Sequence, residues 1–191
     1  MTTTRKPGER AGLTPEIVFA AARELLAEVG IEAMSMRGVA KRLGVAPNAL
    51  YAHVVSKQDL VDHLLDDVLS AVDTQVATQD PSSALQALMV DTYDVLLLHA
   101  ALLPAFLVRQ GARGDNARRL GDGVKTHLES ASVPAERVDQ AVHVLIIHTI
   151  GFAAFASHPN IDSNGYEQPP AVLRRDFTVG LKWLIFGMLD C

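Results

Sequence analysis

The chain has 191 residues, 49% of them hydrophobic and 20% charged, with a formal net charge of −5. That length admits one medium domain or a small domain beside a larger one, and so apolar a composition implies either a large core or apolar surface that meets a partner. No uninterrupted apolar run reaches the roughly 18 residues of a membrane span, no signal-like start is present, and the single cysteine, Cys191, has no disulfide or metal partner, so membrane and redox classes drop out and a cytoplasmic protein is expected.

The charge is unevenly divided. Met1–Lys57 holds eight Lys or Arg against five Glu, whereas the remainder holds nine against seventeen acids. A basic region and an acidic, apolar one share the chain, and the basic one is the candidate for meeting nucleic acid.

Period-2 alternation is missing and apolar residues recur three and four apart, which predicts an all-helical fold. Thr14-Pro15-Glu16 supplies an N-cap, a proline at the first helical position and an acid in the first turn. This first helix carries Ile17, Ala21, Leu25 and Val29 on one face and ends at Gly30. A second starts at Ser35 and runs through Met36, Val39, Ala40 and Leu43 to Gly44; Pro47 opens a third, with Leu50 inward, that runs out near His53. Ser56 and Asp59 form a capping box for a long helix through Leu60, Leu64, Leu65, Val68 and Val72, broken at Asp80-Pro81-Ser82.

Further helices are expected over Ser83–Ala101, Leu103–Gln110, Asn116–Ser130, Pro134–Ser157 and Pro170–Leu189. The stretch His158–Pro170, rich in proline, asparagine and glycine, reads as a loop.

Two short helices joined by "LGV", the second the more polar, match a helix-turn-helix, whose second helix enters the DNA major groove. With Leu50 inward, Asn48, Ala49, Tyr51, Ala52 and His53 lie on the remaining surface. Asn pairs bidentately with adenine and Ala meets a thymine methyl, whereas Tyr, His and Lys57 reach phosphates; Arg37, in the first turn of the preceding helix, approaches a base or phosphate. Ser35, Ala46 and Pro47, at the starts of the two helices, complete the candidate DNA-binding set.

The stretch "LTPEIVFAAARELLAEVGIEAMSMRGVAKRLGVAPNALYAHVVSKQDLVDHLL" resembles the DNA-binding region of the tetracycline-repressor (TetR) family of bacterial transcriptional regulators, and "FTVGLKWLIFGML" resembles that family's final helix. The resemblance implies DNA-facing positions at Arg37, Asn48, Ala49, Tyr51 and His53 and a backbone contact at Lys57. It departs from the family at Ala46, which lacks the frequent capping hydroxyl, and at Val54, where Phe is common.

It also implies a flexible arm over 1–12, a helix-turn-helix domain over 13–57 and a helical ligand-binding and dimerisation domain over 58–191. The expected function is that of a ligand-responsive repressor that binds a palindromic double-stranded DNA operator as a homodimer and is released by a largely apolar small molecule. The expected ligand residues are His63, Met89, Tyr93, His99, Phe106, Arg109 and His127; the expected dimer interface is Val138, Val142, Leu145, Ile146 and Thr149 with Val179, Trp183 and Phe186. No cofactor and no metal are expected: His143 and His148 sit five apart, about 140° around a helix, and "LLPAFLVRQGARG" lacks the histidine through which the tetracycline repressor holds magnesium. A helical enzyme, or a small-molecule-binding module without specific DNA binding, is the alternative; no nucleophile motif or phosphate loop supports the enzyme.

Overall fold

The computed structural model describes residues 12–75, 80–158, 165 and 168–189, and these are helical with short connections. In chain order the helices are α1 (Pro15–Ala33), α2 (Met36–Leu43), α3 (Pro47–Leu50), α4 (Lys57–Val68), α5 (Pro81–Leu98), α6 (Leu103–Arg109), α7 (Asp115–Ser130), α8 (Ala135–Ala156) and α9 (Pro170–Leu189). The chain divides into two compact units, Met1–Val61 and Asp62–Cys191, with the division falling inside α4. The thiol of Cys191 and most of the arm over 1–12 lie outside the described residues.

In the first unit, Thr14 Oγ1 accepts the Ile17 N–H (3.4 Å) and Pro15 opens α1. Gly30, at φ 74° and ψ 171°, kinks the helix instead of ending it, and one further turn follows to Ala33. The buried face is Val18, Ala21, Ala22 and Leu26, while Ile17 and Val29 stay exposed. The expected stripe is thus rotated by one residue, about 100°: the run "FAAAREL" offers two overlapping i, i+4 faces, and the one rich in alanine lets α2 approach closely. A Cβ on Gly38 of α2 would lie 2.9 Å from Leu25 Cδ2, which marks how tight that approach is. Ser35 Oγ caps α2 through the Gly38 N–H (3.1 Å), and Gly44, left-handed at φ 67°, closes it, with the Val45 N–H returning to Ala40 O (3.0 Å).

Ser56 Oγ accepts the Asp59 N–H (3.1 Å) and Asp59 Oδ2 accepts the Val55 N–H (2.8 Å), so the expected capping box forms, one residue offset at its return bond. Leu60, Leu64, Leu65 and Val68 of α4 are buried, but Val72 lies beyond the helix: α4 gives way at Leu69 to a tighter 3₁₀ turn, and Val72 is extended.

The second unit is a helical bundle in which α5 packs on α7, α8 and α9, and α8 on α6, α7 and α9. Asp80 caps α5 through the Ser83 N–H (2.9 Å), and Tyr93 of α5 stacks on Phe177 of α9 (centroids 4.2 Å apart). His148 of α8 also stacks on Phe177 (centroids 5.2 Å apart), with Nε2 3.3 Å from Phe177 O; burial holds its pKa below that of a free histidine.

By length and composition α8 suffices to cross a membrane, with a window of mean hydropathy 1.5, although His148 breaks its longest apolar run. That corrects the expectation that no segment qualifies. Its inner face, from Val138 to Ala153, packs within the bundle, so a protein core accounts for part of that hydropathy.

Candidate nucleic-acid interface and effector cavity

The candidate reading surface is built on very little helix. Four residues form α3, held at and just beyond its C-terminal end by two buried anchors, Leu50 and Val54, which the Val54 N–H to Leu50 O bond (3.0 Å) joins. Ala46 occupies the N-cap without any side-chain bond, as its methyl dictates, and Pro47 removes one of the donors that would otherwise go unpaired. Pro47 and Asn48 are exposed, Ala49 and His53 half-buried, and Tyr51 is 57% exposed. The outward placement of Asn48 and Tyr51 and the inward placement of Leu50 follow the sequence expectation.

The cations divide into two sets. Arg42 binds Glu28 bidentately (2.8 and 2.6 Å) and Glu24 (3.1 Å), and these carboxylates push its pKa upward. Arg37 and Lys41, one turn apart on α2, are exposed and, among the described residues, engage in no hydrogen bond or ion pair. Sequence reasoning passed over Lys41; its i, i+4 spacing from Arg37 was the available signal.

Lys57 departs from expectation. Its ammonium donates to Ile31 O (2.7 Å) and reaches Glu32 O (3.5 Å), the carbonyls just past the Gly30 kink. A group expected on phosphate is instead a strut between the end of α1 and the start of α4. Lys57→Met is expected to lower the stability of the first unit by about 1 kcal/mol, seen in urea denaturation, with the salt dependence of DNA binding unchanged. A salt slope reduced by about one would restore the phosphate role.

In the second unit a partly open cavity of about 120 Å³ is lined by α5, α6, α7 and α8, with Met89, Thr92, Phe106, Leu120, Ile146 and Thr149 among its walls. Phe106, Gln110, Gly111, Ile146 and Ile150 also border a wider, more open cavity of about 720 Å³ that reaches Leu107, His143 and Ile147. The backbone at the junction is turned sharply by Gln110 (φ 55°) and Gly111 (φ 99°), which end α6.

Of the seven expected ligand residues, Met89 and Phe106 line the inner cavity. Tyr93 is sealed in the aromatic stack and His99 caps the end of α5 through its backbone N–H to Leu96 O. His63 is exposed on α4, and His127 borders a separate polar groove with Arg118 and Asp122. Arg109 turns away to Asp62, Nε to Oδ1 at 2.8 Å and the second bond at 2.6 Å, and that carboxylate raises its pKa.

The expected dimer set also divides. Val138, Val142, Leu145 and Thr149 are buried within the chain's own bundle and Ile146 belongs to the cavity wall, so on α8 the outward apolar face is instead Val144, Ile147 and Phe155. On α9, Val179, Trp183 and Phe186 are outward as expected. Since α8 is apolar on both faces, hydrophobicity alone does not say which one its neighbours take. Among the described residues no group of three metal-ligating side chains converges.

Residues 18–64 match the family model described as bacterial regulatory proteins, tetR family. Over 58 residues the chain is 43% identical to the class A tetracycline repressor protein of Escherichia coli, a stretch that covers 30% of this chain and 27% of that repressor. The likeness to solved structures is longer: the crystal structure of BioQ from Mycobacterium smegmatis matches with a TM-score of 0.76 and 26% identity over 93% of this chain and 99% of BioQ. BioQ bound to its double-stranded DNA operator matches with a TM-score of 0.73 and 25% identity, over 94% and 99%. The tetR family model thus matches the first unit of this chain over residues 18–64, and along nearly its whole length the chain is similar in fold to BioQ.

Proposed function

We propose that this protein is a ligand-responsive repressor that binds a palindromic operator as a homodimer. The carrying observation is the reading surface: Asn48 and Tyr51 outward on α3, beside the unengaged cations Arg37 and Lys41. BioQ, of similar fold, has been crystallised on its operator, which supports the same use here. A four-residue helix meets only a few base pairs, so operator-grade affinity calls for two copies, whose half-sites lie about 34–36 Å apart. The outward stripes of α8 and α9, Ile147 and Phe155 with Trp183 and Phe186, supply an apolar face for the second copy.

The effector reading rests on how α4 is tied to the cavity walls. Asp62 holds Arg109 at the end of α6. Asp66 accepts the N–H groups of Asn116 (3.3 Å) and Ala117 (2.8 Å) at the start of α7. Arg119 of α7 reaches back to Leu69 O and Val72 O (3.0 and 3.1 Å). A largely apolar molecule that moves α6 or α7 therefore moves the C-terminal half of α4. Linkage then requires operator to weaken effector by the factor by which effector weakens operator.

Selection of bound DNA from a random pool tests the reading: a two-fold consensus is expected, and unselected DNA would overturn it. On that consensus, Asn48→Ala should relax preference at one base pair per half-site, costing about 1–3 kcal/mol there. Lys41→Ala should weaken all sequences alike and reduce the salt slope by about one per copy. An unchanged slope removes Lys41 from the interface.

A further inference from the structure

Helical threonines usually return their hydroxyl proton to the carbonyl four residues back. Three here do: Thr92 to Leu88 O, Thr126 to Asp122 O and Thr178 to Arg174 O, each at 2.8 Å. Thr149 in α8 does not. Its Oγ1 is buried, the residue is 0% exposed, and the oxygen has no hydrogen-bond partner, although Leu145 O stands at the same spacing. Thr149 is among the residues that line the inner cavity. A buried polar group left unpaired is costly enough that native structures seldom keep one without a partner.

The rest of the lining narrows what that partner is. Among the described residues, no Lys, Arg, His, Asp or Glu borders the inner cavity. The nearest guanidinium in sequence, Arg109, is committed to Asp62. A carboxylate or ammonium placed there would lose its hydration with no counter-charge, at prohibitive cost. The cavity, at about 120 Å³, is on the scale of the roughly 150 Å³ apolar cavities that take up benzene. The shared walls Phe106, Ile146 and Ile150 continue into the wider mouth, which Gln110 and His143 also border.

Resting on the effector reading above, we propose that the inner cavity takes an uncharged, mainly hydrocarbon head group bearing one oxygen that accepts a hydrogen bond from Thr149 Oγ1. Thr149 sets specificity, and the wider mouth holds the remainder of the molecule. Anionic and metal-chelated ligands are excluded from the inner cavity by its chemistry.

Three probes of matched size separate the possibilities: acetophenone (neutral, one acceptor), ethylbenzene (neutral, none) and benzoate (anionic). Titrated calorimetrically into the full-length protein, and checked by saturation-transfer NMR, acetophenone is expected to bind about five- to tenfold more tightly than ethylbenzene, as one hydrogen bond allows, and benzoate not at all. Thr149→Val keeps shape and volume; it should bring acetophenone down to the level of ethylbenzene and leave ethylbenzene unchanged, while Thr149→Ser keeps the preference. Benzoate binding as well as acetophenone, equal acetophenone affinity in the valine variant, or no binding by any probe, which would leave a cavity filled by water only, overturns the assignment. Operator binding measured without probe tests the regulator reading separately. Acetophenone binding that leaves operator affinity untouched would uphold the head-group assignment and remove the effector role.

Discussion

Trp183→Glu is expected to yield a folded monomer that has lost operator-grade DNA binding. Trp183 is 74% exposed in the single chain, so a carboxylate there sits in water and should change the stability of the fold by no more than about 0.5 kcal/mol. In the two-fold dimer proposed above the same position would be buried twice, and each carboxylate would lose its hydration against Phe186 and the α8 stripe, at several kcal/mol per copy. Dimer affinity should fall by at least about a thousandfold, since each 1.4 kcal/mol is tenfold. Light scattering at micromolar concentration should then report one chain, with unchanged helical circular dichroism, and gel shifts should lose the specific complex. Ile147→Glu, 71% exposed on α8, should act in the same way, whereas Leu145→Glu, 0% exposed two residues earlier, should unfold the chain. A Trp183→Glu protein that stays dimeric would place the interface elsewhere.

That contrast between neighbours on α8 marks where sequence reasoning succeeded and where it stopped. The caps were legible because each depends on a few adjacent residues: Thr14, Ser35, Gly44 and Ser56 with Asp59 all do what their spacing implies, whereas Asp80, read only as a helix break, also caps α5. The reading helix was legible for the same reason, since Leu50 inward fixes Asn48 and Tyr51 outward. Faces of doubly apolar helices were not. Val142 and Leu145 looked as fit for an interface as Val144 and Ile147, and only the packing of α5, α7 and α9 against α8 separates them.

Polar side chains that bond across helices were misjudged for a related reason. Lys57 and Arg109 have acceptors twenty-six and forty-seven residues away in sequence. No local pattern shows such a partner, and a lone cation in sequence invites assignment to DNA or ligand. Thr149 errs the other way: read as interface, it is buried with its hydroxyl unused, a fact that exists only in three dimensions.

Gly114→Ala is the second change expected to have a large effect, and it strikes at the tie between α4 and the cavity wall. Gly114 is the N-cap of α7 and has no side chain with which to cap it. The carboxylate of Asp66 fills that role from α4, accepting from Asn116 N, Asn116 Nδ2 (3.1 Å) and Ala117 N, a charge well placed against the helix N-terminus. The arrangement needs glycine twice over. At φ 148° and ψ −167° the backbone is in a region that is almost exclusive to glycine, and a Cβ would lie 2.4 Å from Asp66 Cγ. An alanine must therefore adopt a strained conformation, at about 1–3 kcal/mol, and also push away the cap, at about 1 kcal/mol more. Urea denaturation should show a loss of about 2–4 kcal/mol on those grounds. Asp66→Ala removes the cap without the backbone strain, so it should cost the smaller share, and in the double variant the two losses should fall short of additive because both act through one contact. If α4 is tied to the effector cavity through this cap, the variants that still fold should also show a coupling factor between effector and operator closer to one. A Gly114→Ala protein as stable as the parent would mean that the Asp66 cap is absent from the molecule in solution, and with it one of the three ties between α4 and the cavity walls.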